Sequence, residues 1–345
     1  PMVRRKNDFD AYRIRDPIHG FISLSNQEIK VINTKIFQRL RRIRQLAMAD
    51  LVYPGATHTR FEHSLGVLHI ADKIINQLVK AKVIKPKDVV PIRMAALLHD
   101  LGHGPFSHIS EYLLNQNYKR DTFPSENIEE IHEHITIKLI ENSPELRDVL
   151  GTLREEIISI LKGHDIRKDV ICGPLDADKL DYLLRDAYYA GVKYGTFDLS
   201  KILESMVPIG KGSSARLGIN EEGIHAVEQL IMAKHHMTVQ VYRHRVRCIT
   251  DAMIIRGIHL AIQASDTTMK TLYEYDASDE YIENYPQWWD QKVIDHMLHC
   301  SDGNAHDIFK RLSERNLFKR LHKKGINERE MEDLDLRNKF LNLDQ

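Results

Sequence analysis

The chain has 345 residues, enough for one large domain or two smaller ones, and its 42% hydrophobic and 28% charged content is that of an ordinary globular protein. Lys plus Arg and Asp plus Glu both number 49, so the formal net charge is zero and bulk attraction to nucleic acid is not expected. Cys172, Cys248 and Cys300 are widely spaced with no CxxC, which argues against a disulfide framework or zinc finger and fits a reducing, cytoplasmic setting. No apolar run has the character of a secretory leader or the length of a membrane span, so no membrane partner is expected.

Read in chain order, the pattern predicts a mainly α fold with small β-hairpins. Tyr12 to Leu24 alternates around a Pro/Gly turn and predicts the first hairpin. Ile36, Phe37, Leu40, Ile43, Leu46 and Ala47 repeat at helical spacing, which predicts a helix over 33–51. Arg39, Arg41, Arg42 and Arg44 then form either its solvated face or a phosphate-holding cluster. A helix is predicted over 62–82, and a largely apolar, buried one over 89–101. Helices follow over 176–190 and 223–264, the second breaking near Arg256-Gly257. Between them, 206–219 predicts a second hairpin around Gly210-Lys211-Gly212-Ser213-Ser214, whose spacing is not that of a P-loop. The highly charged end from Lys323 reads as a solvated helix or frayed tail. The expected division is a core over 1–265 and a helical C-terminal extension over 266–345.

The chemistry concentrates in His99-Asp100-Leu101-Gly102-His103-Gly104-Pro105-Phe106-Ser107-His108, which closes the apolar run Met94-Ala95-Ala96-Leu97-Leu98. A His-Asp pair there is costly to bury without a strong partner, and a metal ion supplies one. His63, in Arg60-Phe61-Glu62-His63, and Asp178, in Asp176-Ala177-Asp178-Lys179, lie on other predicted helices. Taken alone, each is as well read as a core histidine or a capping carboxylate. Together, His63, His99, Asp100 and Asp178 suit one borderline or hard divalent ion (Mn, Fe, Mg, Ni or Zn), with His103, His132 and His134 able to extend the site to a second. Such an ion lowers the pKa of bound water enough to make a nucleophile at neutral pH.

Gly102, Gly104 and Pro105 should end the helix and turn His103 and His108 back toward the ion, and His132 follows in Ile131-His132-Glu133-His134; imidazoles are the usual proton carriers near neutrality. Arg60 shares a helix face with His63. Asp178, Tyr182 and Asp186 repeat every four residues, presenting a ligand, a phenol and a carboxylate in a row or else a plain solvent face. The segment from Lys234 to Arg245, which includes Tyr242, is cationic and suits either a polyphosphate pocket or an interface.

His, then His-Asp, then Asp is the signature of the HD phosphohydrolases. Arg15-Asp16-Pro17-Ile18-His19-Gly20, Phe37-Gln38-Arg39-Leu40-Arg41, Tyr53-Pro54-Gly55-Ala56, His58 through Gly66, His99 through His108, Asp176 through Tyr182 and Tyr242-Arg243-His244-Arg245 resemble its dNTP triphosphohydrolase branch. That branch includes the vertebrate SAM-and-HD-domain enzyme. The resemblance runs from about residue 12 to 322 and implies an HD helical core. It implies metal binding by His63, His99, Asp100 and Asp178. It implies His108 as general acid on the departing 5′-oxygen, supported by Glu111 and His132, with His103 beside the α-phosphate. Phosphates would be held by Arg60, Lys179, Lys234 and Tyr242, and the sugar read by Gln45, Tyr182 and Asp186. The implied reaction is attack of metal-bound water at the α-phosphorus, yielding a deoxynucleoside and tripolyphosphate.

Several positions depart from the branch. Lys234 stands where an Arg often holds the terminal phosphate, keeping the charge without the fork. Glu111 stands where an Asp is common. Asn33 replaces an Asp that reads guanine at an allosteric site, so activation of that kind is not expected, although some nucleotide activator stays open. The resemblance does not reach a SAM module or a further C-terminal lobe, and a homo-oligomer, dimer or tetramer, is the expected assembly. The other readings are an HD-type nuclease or phosphodiesterase acting on single-stranded nucleic acid or other nucleotides, and a nucleotide-binding regulator.

Overall fold

The computed structural model describes residues 12–117, 130–210 and 214–320. The tip of the second hairpin at 211–213 and the charged end from Lys323 lie outside them. Strands β1 (Tyr12–Asp16) and β2 (Gly20–Leu24) pair antiparallel with Ile14 opposite Ile22. They lead into α1 (Asn26–Ile32) and the single turn α2 (Lys35–Gln38), then α3 (Arg60–Lys80) and α4 (Val89–Leu98). The short helices α5 (His108–Asn117), α6 (Ile131–Asn142), α7 (Pro144–Leu150), α8 (Leu153–Lys162) and α9 (Ile166–Ile171) precede α10 (Ala177–Ala190). After α11 (Leu199–Ser205) come β3 (Met206–Ile209) and β4 (Arg216–Ile219), the second antiparallel hairpin. The chain continues through α12 (Ile224–Met237), α13 (Arg245–Gln263), α14 (Thr267–Tyr273), α15 (Asp279–Asn284), α16 (Asp290–Met297) and α17 (Gly303–Ser313). Fold class is therefore as the pattern predicts: mainly helical, with two small hairpins. Among the described residues no helix is long and apolar enough to cross a membrane.

Helices α3, α4 and α10 form the centre. From Ile92 to Leu98 every residue of α4 is buried, as a near-continuous apolar run requires. Its one charge there, Arg93, is held by Glu28 through Nε at 2.7 Å and Nη2 at 3.0 Å. The start of α3 is fixed by Glu62, whose carboxylate accepts from the Thr59 amide at 2.9 Å. The start of α10 is fixed by Asp176, which accepts from the Lys179 amide at 2.7 Å. Each cap sits within three residues of a predicted metal ligand and sets the rotation at which that ligand leaves its helix.

Two predicted elements are corrected. The helix over 33–51 does not form: α2 gives way to a 3₁₀ turn at Arg39–Arg42, a single bridge from Arg44 to Thr59, turns, and a second 3₁₀ turn at Ala49–Leu51. The Gln45 amide goes to the His58 carbonyl at 3.1 Å and the Arg60 amide to the Ile43 carbonyl at 3.0 Å, so cross-chain bonds replace the i to i−4 ladder. The four arginines are divided: Arg39 is buried, whereas Arg41 and Arg42 are exposed, though each has a partner. Arg41 lies 3.5 Å over the Phe61 ring, Arg42 4.5 Å over Trp289 and Arg39 5.2 Å over Tyr285, while Arg44 pairs with Asp50 at 2.6 Å. The second correction concerns 223–264, which breaks at a π turn over Thr238–Tyr242 and not at Arg256-Gly257. Gly257 stays helical because Phe309 of α17 packs against it, 2.7 Å from where a Cβ would lie.

Gly66 marks the closest approach of α3 to α10. A Cβ there would collide with the Asp181 carboxylate and come 2.5 Å from Arg185 Nη2. Both of those groups are fully buried and cannot swing aside. Gly66→Ala should cost about 2–3 kcal/mol, read as a drop of several degrees in Tm by thermal unfolding.

Candidate active site and its metal cluster

His63 projects from the first turns of α3, His99 and Asp100 from the turn that ends α4, and Asp178 from the first turn of α10. His63 Nε2 lies 2.9 Å from Asp178 Oδ1 and 3.6 Å from Asp100 Oδ2. His99 Nε2 lies 3.3 Å from Asp100 Oδ1 and 3.8 Å from Asp178 Oδ1. Despite this crowding, neither Nε2 has a hydrogen-bond partner, and both are buried. Buried ring nitrogens facing carboxylates without hydrogen-bond geometry fit a divalent cation at their centre. The other nitrogen of each ring is committed: His63 Nδ1 to Asp181 Oδ2 at 2.8 Å, His99 Nδ1 to the Ala96 carbonyl at 2.8 Å. Those bonds leave both Nε2 atoms for the ion.

The charge balance agrees. Burial pulls the His63 pKa down, but the carboxylates of Asp178, Asp181 and Asp100 outweigh it and raise it to about 10. Burial likewise opposes ionisation of Asp100, yet Arg60, His99 and His103 hold its carboxyl well below the usual range. The position calls for positive charge.

Behind the ligands lies a relay that the sequence reading did not single out. Asp181 receives His19 Nε2 at 2.6 Å as well as His63, and Arg185 spans it with Nε at 2.8 Å and Nη2 at 2.9 Å. Arg185 Nη1 reaches Asp16 at 2.9 Å, and Asp16 in turn caps the hairpin by accepting from the amides of Ile18 and His19, each at 2.9 Å. Asp181 and Arg185 occupy the i and i+4 positions beside Asp178 on α10, and Asp16, His19 and Asp181 fall in strings that carry the family resemblance, though no role was assigned to them.

The proton-carrying candidates gather on one side. His103 is buried, its ring stacked 3.9 Å from that of His132 and its Nε2 3.4 Å from Asp100. Burial and the charge of Arg60 hold its imidazole well below the ordinary range. Glu111 reaches both remaining histidines, His132 Nδ1 at 2.6 Å and His108 Nδ1 at 3.3 Å. Its extra methylene thus lets one carboxylate serve two rings. Burial opposes it, but the Glu111 carboxylate lifts the His132 pKa above its ordinary value. His108 itself is exposed, at 64% of its side chain. His134 turns away to the Tyr275 hydroxyl at 2.9 Å.

His108 is presented by a strained loop. Phe106 and Ser107 have φ of 62° and 55°, a conformation unfavourable for residues with a Cβ. Asp290 at the start of α16 holds it open, taking the Phe106 amide at 2.7 Å and the Arg44 amide at 2.9 Å. Ser107 Oγ donates to the Arg44 carbonyl at 2.7 Å and accepts from Arg60 Nε at 2.8 Å. Asp290 and Ser107 were not singled out from the sequence either.

A cavity of about 440 Å³ opens over the cluster, the size of a small-molecule site. Gln45, Arg60, His99, Asp100, His103, His108, His132, Asp178, Lys179, Tyr182, Asp186 and Tyr242 line it. His63 lies beneath its floor and Glu111 behind His108 and His132. Lys234 is exposed on α12 and is not part of the wall. Arg60 also binds Asp100 and keeps Nη2 unpartnered; Gln45 keeps Oε1 unpartnered. Asp186 is fixed by His58 and by the Tyr242 hydroxyl, both at 2.7 Å. Lys179 Nζ rests on the Gly173 carbonyl at 2.8 Å and on Asp176 at 2.6 Å. Arg247 and Lys168 line the cavity too, without having been predicted.

Comparison with known proteins places these elements. Residues 60–188 match the HD domain and residues 197–340 the HD associated region. The chain is 38% identical over 263 residues to the uncharacterized protein MJ1154 of Methanocaldococcus jannaschii, covering 76% of this chain and 52% of that one. It is 28% identical over 351 residues to the deoxynucleoside triphosphate triphosphohydrolase SAMHD1 of Bos taurus, covering 89% of this chain and 58% of that protein. The chain spans about half the length of the curated relatives it matches. A crystal structure of a phosphohydrolase from Bacteroides thetaiotaomicron superposes with a TM-score of 0.76 at 27% identity, over 96% of this chain and 83% of that one.

Asp181→Asn should weaken divalent-metal affinity about 10- to 100-fold by releasing the His63 ring; calorimetric metal titration of the two proteins checks this, with the helical circular dichroism retained. The chain belongs to the HD-domain family, carrying both the HD domain and its associated region.

Proposed function

We propose that this protein hydrolyses deoxynucleoside triphosphates to a deoxynucleoside and tripolyphosphate. The observation that carries the reading is the layout of one cavity: His63, His99 and Asp178 gathered at the floor with Asp100 adjoining, a carboxylate-held histidine pair on one side and a Tyr–Asp–Gln wall on the other. The similarity to proteins named as dNTP triphosphohydrolases supports it. His63, His99, Asp100 and Asp178 would hold one divalent ion, which when bound supplies a nucleophilic water at neutral pH and polarises a phosphate oxygen.

The chain's own groups do the rest. Arg60 directs its unpartnered Nη2 to an α-phosphate oxygen, and Lys179 holds charge further along the tail. Gln45 offers its unpartnered Oε1 to the 3′-hydroxyl, beside Tyr182 and the fixed Asp186. As water adds to the α-phosphorus, the bond to the 5′-oxygen breaks. His108, its Nδ1 engaged by Glu111, gives that oxygen a proton from Nε2. His132 shares Glu111 and keeps its carboxylate oriented.

The test is to incubate the protein with each dNTP, each rNTP and a short single-stranded oligonucleotide, with added Mn²⁺, and to resolve products by anion exchange. Release of deoxynucleoside and tripolyphosphate is expected; shortened oligonucleotide with intact dNTPs would overturn the reading in favour of a nuclease. His63→Ala and Asp178→Ala should lose bound metal and turnover together, whereas His108→Ala should keep the metal and lose roughly 10²–10⁴ in rate. Elemental analysis beside the assay separates the two classes.

A further inference from the structure

Arg247, in the first turn of α13, is 8% exposed and lines the cavity, yet its Nε and Nη1 are buried without a hydrogen-bond partner. Its nearest carboxylate, Asp251 Oδ2, is 3.7 Å from Nε, beyond hydrogen-bond reach, and Asp251 Oδ1 is unpartnered as well. A buried guanidinium with idle donors on a ligand cavity is a built recognition element, because leaving such donors unmet has a cost that a bound acceptor removes.

Its place along the wall says which part of a ligand it meets. From the cluster, Asp178 is followed on α10 by Tyr182 and Asp186. The Tyr242 hydroxyl bonds Asp186 at 2.7 Å, its ring 6.3 Å from that of Tyr182. Arg247 lies beyond, 5.8 Å over the Tyr242 ring. Of the other cationic wall residues, Arg60 is bound to Asp100 at the cluster, and Lys179 and Lys168 lie near Cys172. With the α-phosphorus at the cluster and the sugar at Tyr182 and Asp186, the tail runs toward the lysines and the base toward Arg247.

We propose that Arg247 is a specificity-determining residue that reads the nucleobase and selects guanine. A guanidinium fork pairs with two adjacent acceptors, and guanine alone offers them, O6 and N7, on its Hoogsteen edge. Adenine and cytosine place an exocyclic amine donor at that edge, which faces the guanidinium donor to donor, and thymine offers one carbonyl beside a methyl group. The assignment rests on the dNTP reading of the cavity.

The experiment is a calorimetric titration of the calcium-loaded protein with each of the four dNTPs, with tripolyphosphate release followed separately in Mn²⁺. The expected result is dGTP bound about 10-fold or more tighter than the others, and loss of that margin in Arg247→Ala with the other three Kd values little changed. Arg247→Lys keeps the charge without the fork and should lose the margin as well. Arg247→Met, which retains the packing volume, guards against a folding defect in the alanine variant. Equal weakening of all four dNTPs by Arg247→Ala would mean a phosphate contact and overturn the proposal, as would wild-type binding without preference. Selective dGTP binding with no hydrolysis would instead overturn the proposed reaction and leave the base-reading role standing; no binding of any dNTP would remove both.

Discussion

Buried His63 and Asp100 and the partly exposed His99 and Asp178 crowd together at the floor of the cavity, and such a convergence survives only if the charges around it are paired. Arg185 bears much of that demand. Fully buried, it spans Asp181 and reaches Asp16, and Asp181 in turn holds His63 and His19. Removing one member of a buried set like this leaves uncompensated charge, a loss of about 3–5 kcal/mol. The set also ties β1, α3 and α10 together at fixed rotations. A metal site needs its ligands placed to fractions of an ångström, and here the same hydrogen bonds that stabilise the packing set the ring orientation.

A second constraint comes from far along the chain. The loop between His103 and His108 holds two residues in the left-handed region, a conformation that on its own would relax. Asp290, from the region that follows α13, pins it through the Phe106 amide and with its other oxygen holds the Arg44 amide of the adjoining segment. The neighbouring Trp289 lies under Arg42, and Tyr285 and the Trp288 carbonyl engage Arg39. The arginine-rich segment is therefore a fastening between the start of the HD core and the helices around 285–297. Guanidinium groups suit that role, since one planar cation can stack on a ring and donate to a carbonyl at once. The region after residue 265 thus contributes to the geometry of the site although it supplies none of the cluster's ligands.

Much of this molecule was legible in its residues. The helical frame followed from apolar patterning, because α10 repeats its buried positions every three or four residues and α4 is a near-continuous apolar run. The convergence of His63, His99, Asp100 and Asp178 was legible because a His-Asp pair closing an apolar run has few uncharged explanations. Where the reading of elements failed, cross-chain bonds had won over local preference. The segment 33–51 has helical spacing, but Ile43 and His58 supply carbonyls that take its neighbours' hydrogen bonds. Gly257 reads as a breaker until Phe309 fills the space beside it.

What the sequence determined by itself is thus the class of fold and the histidines and carboxylates proposed to face a metal, since both are written in short-range patterns of polarity. What only the tertiary structure decided is which polar groups stand behind those residues and which are left idle. Asp181, Arg185 and Asp16 are ordinary charges until they are seen sharing one buried network. Arg247 reads as one more helix arginine until it is found lining the cavity with two buried nitrogens that lack hydrogen-bond partners, while Lys234 stands in solvent. Pairing is a property of distance in space, and nothing in the linear order of residues records it.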